Sequence, residues 1–241
     1  MTGAKQILLA GFAAALSLLV SACHTTVTGP ELAAESPLVV SSVPPTSASY
    51  LADYTQDGAL PFTCEVMMRS DDMIRRDYTW QDDKGAARKV SIVINGDKAV
   101  RIENGKTTSV EDSDTVMARF FAGLVLSPAA VISSADRSVR SASGADRYVY
   151  WVRLNGVSGV ESCIVNTDPK SRLWTGLKVR MAAGQEVSTV FPEYKTISNV
   201  TYPSRLVSST GDGAPVQCII RDVKINPELP DELFRLPDSN G

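Results

Sequence analysis

The sequence predicts a mainly β (α+β) domain in which a strongly curved antiparallel sheet has one apolar helix over its open, concave side. Apolar and polar residues alternate through most of the chain beyond residue 60. Tight-turn sequences separate these alternating segments, and strands joined in chain order by tight turns favour an antiparallel meander. One segment has helical spacing instead, and a single apolar helix suits the open side of a curled sheet.

Residues 1–22 predict a secretory signal that is not part of the fold. Lys5 precedes an apolar run over residues 7–20, which is shorter than the ~20 residues of a membrane span. The run ends at Val20-Ser21-Ala22-Cys23, which resembles the lipobox of bacterial lipoproteins. In that family the cysteine thiol receives the lipid, so the resemblance implies that Cys23 is the lipidated residue and the membrane anchor. An ordinary signal peptide followed by a chance cysteine is the alternative.

Residues 23–48 are rich in Pro, Ser, Thr and Ala, and they predict a lipidated flexible tether before a domain at 49–241. A coil of that length would span roughly 28 Å. In lipoproteins of two-membrane bacteria, aspartate after the lipidated cysteine usually retains the protein in the inner membrane. This chain has His24 there, so the resemblance implies an outer-membrane anchor with the domain facing the periplasm.

Alternation and turn signals place the strands, and a short helix is expected over residues 48–56. The predicted strands cover residues 62–69, 90–94, 98–102, 148–154, 160–166, 173–181, 186–197, 200–208 and 216–225. Asn95-Gly96, Asn104-Gly105, Asn155-Gly156, Asp168-Pro169-Lys170-Ser171 and Ala183-Gly184 predict the turns between them.

The helix is predicted over residues 114–133, capped by Ser113 or Asp114 and ended or kinked by Pro128. Its apolar residues recur one and four positions apart, which gives a broad apolar face. From this face, and from tryptophans on strands, come the candidates for contacts inside a ligand cavity: Met117, Phe120, Phe121, Leu124, Trp151 and Trp174. Aromatic residues in strands are also common in an ordinary core.

The residue inventory argues against most catalytic chemistry. With 24 basic and 27 acidic residues the chain lacks the basic field of a nucleic-acid-binding protein. The single histidine, His24, lies beside the proposed anchor, so no Ser-His-Asp triad, Cys-His pair or histidine metal site is expected in the domain. We therefore expect no enzyme activity, cofactor or metal, although carboxylate-only hydrolysis stays open. The acidic cluster at Glu111, Asp112 and Asp114 could hold a cation, but it fits a helix amino terminus.

Three further cysteines lie on predicted strands: Cys64, Cys163 and Cys218. In an oxidising envelope compartment two of them could form a disulfide, and Cys163 with Cys218 is the preferred pair because each lies in the middle of a late strand. Buried free thiols are the equal alternative.

Several stretches resemble the LolA/LolB-like superfamily of outer-membrane lipoprotein-sorting proteins. These are the turn and strand at residues 168–174, the segments 190–194 and 199–203, and the ending at 223–237 with its Leu-Phe-x-x-Pro tail. The resemblance implies an unclosed antiparallel half-barrel with helices on its concave side. It also implies binding of acyl chains of lipids or lipoproteins in an apolar concavity, in envelope lipid or lipoprotein trafficking. Membrane-bound receptors of the family have an amino-terminal sequence that is not evident here.

The alternative function is an envelope protein-interaction or stress-sensing module on the same fold. Sensing proteins of this type usually carry a second domain, and we expect no room for one after Ile225.

Overall fold

The computed structural model describes residues 24–27, 45–70, 72–110, 115, 118–119, 122, 135–142, 148–154, 160–168, 170–171, 173–181, 184–211 and 213–237. These residues contain fourteen strands and one short 3₁₀ helix at Asp231–Phe234. The strands are β1 His24–Val27, β2 Ala48–Gln56, β3 Phe62–Met68, β4 Met73–Gln81, β5 Ala87–Asn95, β6 Lys98–Glu103, β7 Lys106–Ser109, β8 Ala135–Ala142, β9 Tyr148–Leu154, β10 Val160–Thr167, β11 Trp174–Met181, β12 Glu186–Ile197, β13 Val200–Ser209 and β14 Val216–Ile225.

All fourteen strands belong to one unclosed antiparallel sheet in the order β1-β8-β9-β10-β11-β12-β13-β14-β2-β3-β4-β5-β6-β7. Strands β8 to β14 and β2 to β7 are two meanders, and the pairing of β14 with β2 joins them. That junction places Cys218 opposite Tyr54 and Ile220 opposite Ala52. The mainly β, antiparallel architecture predicted from the alternation is confirmed, and so is the unclosed sheet that the resemblance implies.

The predicted turns form where the backbone needs residues that tolerate a positive φ. Asn104 and Gly105, between β6 and β7, have φ values of 51° and 74°, which suits Asn-Gly in a two-residue hairpin loop. At the turn after β10, the Asp168 carboxylate accepts hydrogen bonds from the backbone N–H groups of Lys170 and Ser171. The side chain thus replaces strand hydrogen bonds at the point where the chain reverses.

The segment 48–56 is a strand, and the helix predicted there is wrong. Its residues alternate after all, because Tyr50, Ala52 and Tyr54 pack with the hydrophobic core on one face of the sheet. The small Ala52, fully buried between β14 and β3, hides this period in the sequence.

Two parts of the predicted tether are in contact with the sheet. His24–Val27 form strand β1, which pairs with β8. Nearer the domain, the Asn226 side chain accepts a hydrogen bond of 2.8 Å from the Thr46 N–H, and the Ser47 hydroxyl donates to the Pro227 carbonyl at 2.8 Å. These contacts fix the entry of the chain into β2 against the end of β14.

Four described residues of the predicted helix are helical: Thr115, Ala118, Arg119 and Ala122. The predicted cavity residues Met117, Phe120, Phe121 and Leu124 lie outside the described residues, as does Cys23. Among the described residues, no helix has the length and apolar character needed to cross a bilayer.

Asp77 on β4 is a buried carboxylate held by two cations. Its side chain is 8% exposed and lies 3.0 Å from Arg75 Nε and 3.0 Å from Lys89 Nζ. Burial by itself raises the pKa of Asp77, but hydrogen bonds from Arg75, Ser91 and Lys89 outweigh it and lower the pKa below the ordinary 3.8. The charged form is therefore more stable in the folded chain than in the unfolded chain.

We expect Asp77→Asn to lower the free energy of unfolding by about 1–3 kcal/mol at pH 7, because charge-assisted hydrogen bonds are lost. Since the folded pKa is the lower one, this contribution is complete above the unfolded pKa and is lost as the pH falls through the folded pKa. Urea denaturation at pH 7 and pH 2 should show the gap between wild type and variant shrinking in acid. Asp97→Asn, in an exposed turn, is the control. A gap that is the same at both pH values would contradict the assignment.

Candidate functional site

A continuous apolar cluster covers one face of β2–β6 and the adjoining part of β13 and β14, and two helical alanines belong to it. We call the sheet part of this cluster the inner face. The buried members of the cluster are Ala48, Ala52, Cys64, Val66, Met68, Ile74, Tyr78, Val90, Ile92, Ile94, Ala118, Ala122 and Cys218. Partly buried side chains extend it: Tyr50, Tyr54, Phe62, Trp80, Ala99, Val110, Leu206 and Ile220. Alternate residues of each strand share one face of a sheet, so adjacent strands in register build this surface in rows.

Aromatic side chains are concentrated at one end of the inner face. Tyr54 stacks on Phe62 with ring centroids 4.6 Å apart, and Phe62 lies 5.9 Å from Tyr78 in a tilted arrangement. An open depression of about 710 Å³ lies at this end of the sheet, and its lining includes Tyr54, Phe62 and Trp80 together with residues of the opposite face, among them Asp53, Thr63, Thr79 and Lys89. Such a volume is in the range of ligand pockets, and its aromatic wall suits an apolar chain.

Two helical alanines pack on the inner face. Ala118 and Ala122 are 7% and 2% exposed and are members of the apolar cluster. Their spacing of four residues places them on one side of a helix, and their small side chains allow a close approach to the sheet. Arg119, between them, donates a hydrogen bond from Nη2 to the Gly96 carbonyl at the β5–β6 turn. The larger residues of this segment were the predicted contacts, and the alanines were missed.

The tryptophan candidates differ in what the structure places around them. Trp174 is 1% exposed, and it is not among the described residues of the inner face. Its Nε1 atom is buried without a hydrogen-bond partner in the described part of the chain. Trp151 pairs with Ile164 of β10 in the backbone ladder. Trp80, which was not among the predicted cavity residues, lies at the inner face opposite Phe62.

The three strand cysteines are free and buried. The disulfide between Cys163 and Cys218 that the sequence allowed is not formed, and three strands separate β10 from β14 in the sheet. Burial raises the pKa of Cys163 and of Cys218 to about 12 each, and it also raises the pKa of Cys64. These thiols therefore remain protonated at neutral pH, which makes them poor nucleophiles. Within the described residues, no cluster of three His, Cys, Asp or Glu side chains could hold a metal ion.

A charged side chain, that of Arg76, lies among the inner-face residues. Arg76 is opposite Val66 on β3 and Ile92 on β5, and its guanidinium lies 5.3 Å from the centroid of the Tyr78 ring. Burial of Arg76 lowers its pKa, but the phenol and thiol groups of Tyr78, Cys64, Tyr54 and Tyr50 raise it more. The guanidinium is therefore charged at all ordinary pH values.

No protein-family model and no curated protein sequence matches the chain. Solved structures do. A LolA superfamily protein from Nitrosomonas europaea aligns with a TM-score of 0.59 at 10% identity, over 87% of this chain and 98% of that one. A DUF1329 family protein from Desulfovibrio piger gives 0.59 at 9% identity, over 86% and 95%. A domain described as an outer membrane lipoprotein-sorting protein, from Vibrio parahaemolyticus, gives 0.53 at 12% identity, over 85% and 93%.

Identities of this size support a shared fold and nothing finer. The alignments nevertheless span most of each chain, so they concern the whole sheet rather than one hairpin. The chain has a LolA-like fold, as the resemblance of its turns, strands and tail to the LolA/LolB-like superfamily predicted.

Proposed function

We propose that this protein is a non-enzymatic lipoprotein of the bacterial envelope that binds acyl chains of lipids or lipoproteins at its inner face. In this proposal it is anchored to the outer membrane through Cys23, faces the periplasm and takes part in lipid or lipoprotein trafficking. The observation that carries the proposal is the continuous apolar inner face. The depression beside this face supports the proposal, because Tyr54, Phe62 and Trp80 in its wall suit contact with an apolar chain.

The helical segment gives this face a means of opening. Ala118 and Ala122 contact the sheet through small side chains, each of which contributes little buried area. In the proposed mechanism this helix covers the inner face in the empty protein, and an acyl chain replaces the alanine contacts when it binds. Movement of Ala118 and Ala122 away from a sheet that keeps its register would expose the face without unfolding.

The test is binding of a neutral fluorescent monoacylglycerol to the purified protein. We expect saturable binding that Ile220→Glu weakens about 10-fold or more, because a carboxylate would replace an apolar side chain on the inner face. Ile219→Glu is the matched control, since Ile219 is the preceding residue on β14 and is 52% exposed. Circular dichroism should show that both variants keep the wild-type fold.

A wild-type protein that neither binds the probe nor co-purifies with lipid, as judged by mass spectrometry, would overturn the proposal. Recovery of one stoichiometric protein partner from envelope extracts under the same conditions would instead favour the interaction-module alternative. Equal weakening by Ile219→Glu and Ile220→Glu would show that binding occurs elsewhere than on the inner face.

A further inference from the structure

Arg76 occupies a row of the inner face in which its immediate neighbours are apolar. In the ladder it lies between Val66, which is 3% exposed, and Ile92, which is 6% exposed. Along β4 it lies between Ile74 and Tyr78, the residues two positions away that share its face. A permanently charged group thus stands in the middle of the surface proposed for acyl chains.

Six other arginines on the strands have carboxylate partners. The pairs are Arg75 with Asp77, Arg88 with Asp82, Arg101 with Glu103, Arg180 with Glu161, Arg205 with Glu193 and Arg221 with Asp53. For Arg76, no carboxylate lies within ion-pair distance among the described residues. Its guanidinium lies over the Tyr78 ring, 5.3 Å from the ring centroid, and Cys64 is on the adjacent strand β3.

This arrangement is costly for folding alone. A guanidinium that is partly buried among apolar and aromatic side chains loses hydration free energy. Its cation–π contact with the Tyr78 ring offsets only part of that loss. An apolar residue at this position would serve the core better. Arg101 makes the contrast: it is opposite Ile92 in the same row, but Glu103 lies 2.9 Å from it. Among the described residues, Arg101 therefore has a carboxylate partner and Arg76 has none.

We propose that Arg76 selects acyl ligands that carry an oxyanion, a carboxylate or a phosphate, at the head of the chain. This inference rests on the proposed function and names the substrate class of the same site. The planar guanidinium presents paired N–H donors that match the two oxygens of either group. The acyl chain then lies along the apolar rows on either side, toward the ring cluster of Tyr54 and Phe62.

The experiment compares ligands that differ only in the head group. Palmitic acid and phosphatidic acid are the two anionic probes, and hexadecanol and diacylglycerol are their neutral counterparts. We expect the wild-type protein to prefer each anionic probe by about 10- to 100-fold, the range of a charge-assisted bidentate contact. Comparing palmitic acid with phosphatidic acid shows whether the site prefers a carboxylate or a phosphate head group. Inorganic phosphate alone should bind too weakly to displace either anionic probe.

Arg76→Leu should abolish the preference for the anionic probes while it leaves the neutral probes bound, and Arg76→Lys should retain part of the preference. Thermal unfolding adds a readout that a structural arginine would not give, because Arg76→Leu should be as stable as wild type or more stable. Arg180→Gln is the charge-matched control, since Arg180 is 55% exposed and pairs with Glu161.

The outcomes separate this inference from the function on which it rests. Binding of neutral and anionic probes with equal affinity to the wild type would overturn the role of Arg76 and leave acyl binding standing. If Arg76→Leu and Arg180→Gln reduced the preference for the anionic probes equally, the role of Arg76 would also be overturned, because net charge alone would then explain the preference. No binding of any probe would overturn the proposed function itself.

Discussion

Phe234→Ala is expected to lower the free energy of unfolding by about 3–5 kcal/mol, the usual cost of removing a fully buried aromatic side chain. Phe234 ends the 3₁₀ helix near the carboxyl terminus and is 0% exposed. Urea denaturation followed by circular dichroism measures the effect directly.

The residues around Phe234 are held in place by contacts with the strands, so they cannot move in to fill the space that its side chain leaves. The Arg69 guanidinium lies 5.4 Å from its ring centroid, and the Asn95 side-chain amide donates to the Phe234 carbonyl at 3.0 Å. Arg75 donates to the neighbouring Leu233 carbonyl at 3.2 Å. These donors lie on and beside β3, β4 and β5, so the tail packs on the strands that also build the inner face.

The matched control is Leu233→Ala, because Leu233 is the preceding residue and is only half-buried. Leu233→Ala should lower the free energy of unfolding clearly less than Phe234→Ala does. A Phe234→Ala variant with nearly the stability of wild type would mean that the tail is not docked. Since the tail and the inner face share strands, we also expect weaker binding of the acyl probe in Phe234→Ala under mildly denaturing conditions.

The alternation of the late strands made them predictable from sequence. Leu177, Val179 and Met181 are all buried, and the strand predicted over residues 173–181 is observed at Trp174–Met181. Here both local signals agree, since a turn precedes the strand and a second turn follows it. Where the apolar period includes a small residue, as at Ala52, the pattern predicted a helix in place of β2.

Strand β1 was missed although its sequence contains a usable signal. Thr25, Thr26 and Val27 are three β-branched residues in succession, which favour extended backbone. The surrounding segment is rich in proline and serine, and this composition predicts a tether that includes these residues. Composition averaged over a long window hides a four-residue strand that depends on pairing with β8, more than 100 residues later in the sequence.

The position of Arg76 could not be predicted from the sequence at all. Arg75, Arg76 and Asp77 are consecutive, and such a charged stretch usually lies on a solvated surface. Strand register separates them: Arg75 and Asp77 pair with each other on one face, and Arg76 is directed to the other. The apolar neighbours on either side of Arg76 are supplied by β3 and β5, which are separate segments of the sequence.

Cys23→Ser is expected to abolish incorporation of labelled palmitate and to release the protein from membranes. Each buried methylene of an acyl chain contributes about 0.8 kcal/mol, so losing the chains removes most of the free energy that would hold the protein on the bilayer. Serine keeps the size of the side chain but lacks the nucleophilic thiolate. Cell fractionation with high-salt washing, followed by detection of the label, measures both effects. Protein that remains on washed membranes without the label would contradict the proposed anchor.

His24 supplies the control, because it adjoins the anchor without carrying lipid. His24→Asp should keep the label and the membrane association but shift the protein to the inner membrane of a two-membrane host, whereas His24→Ala should leave it in the outer membrane. The structure adds a geometric consequence, since His24 already belongs to β1 and pairs with Ser141 of β8. Acyl chains on Cys23 would therefore hold the β1–β8 edge of the sheet beside the bilayer. Substitutions that unpair β1 should then leave the protein anchored while making the domain more accessible to added protease.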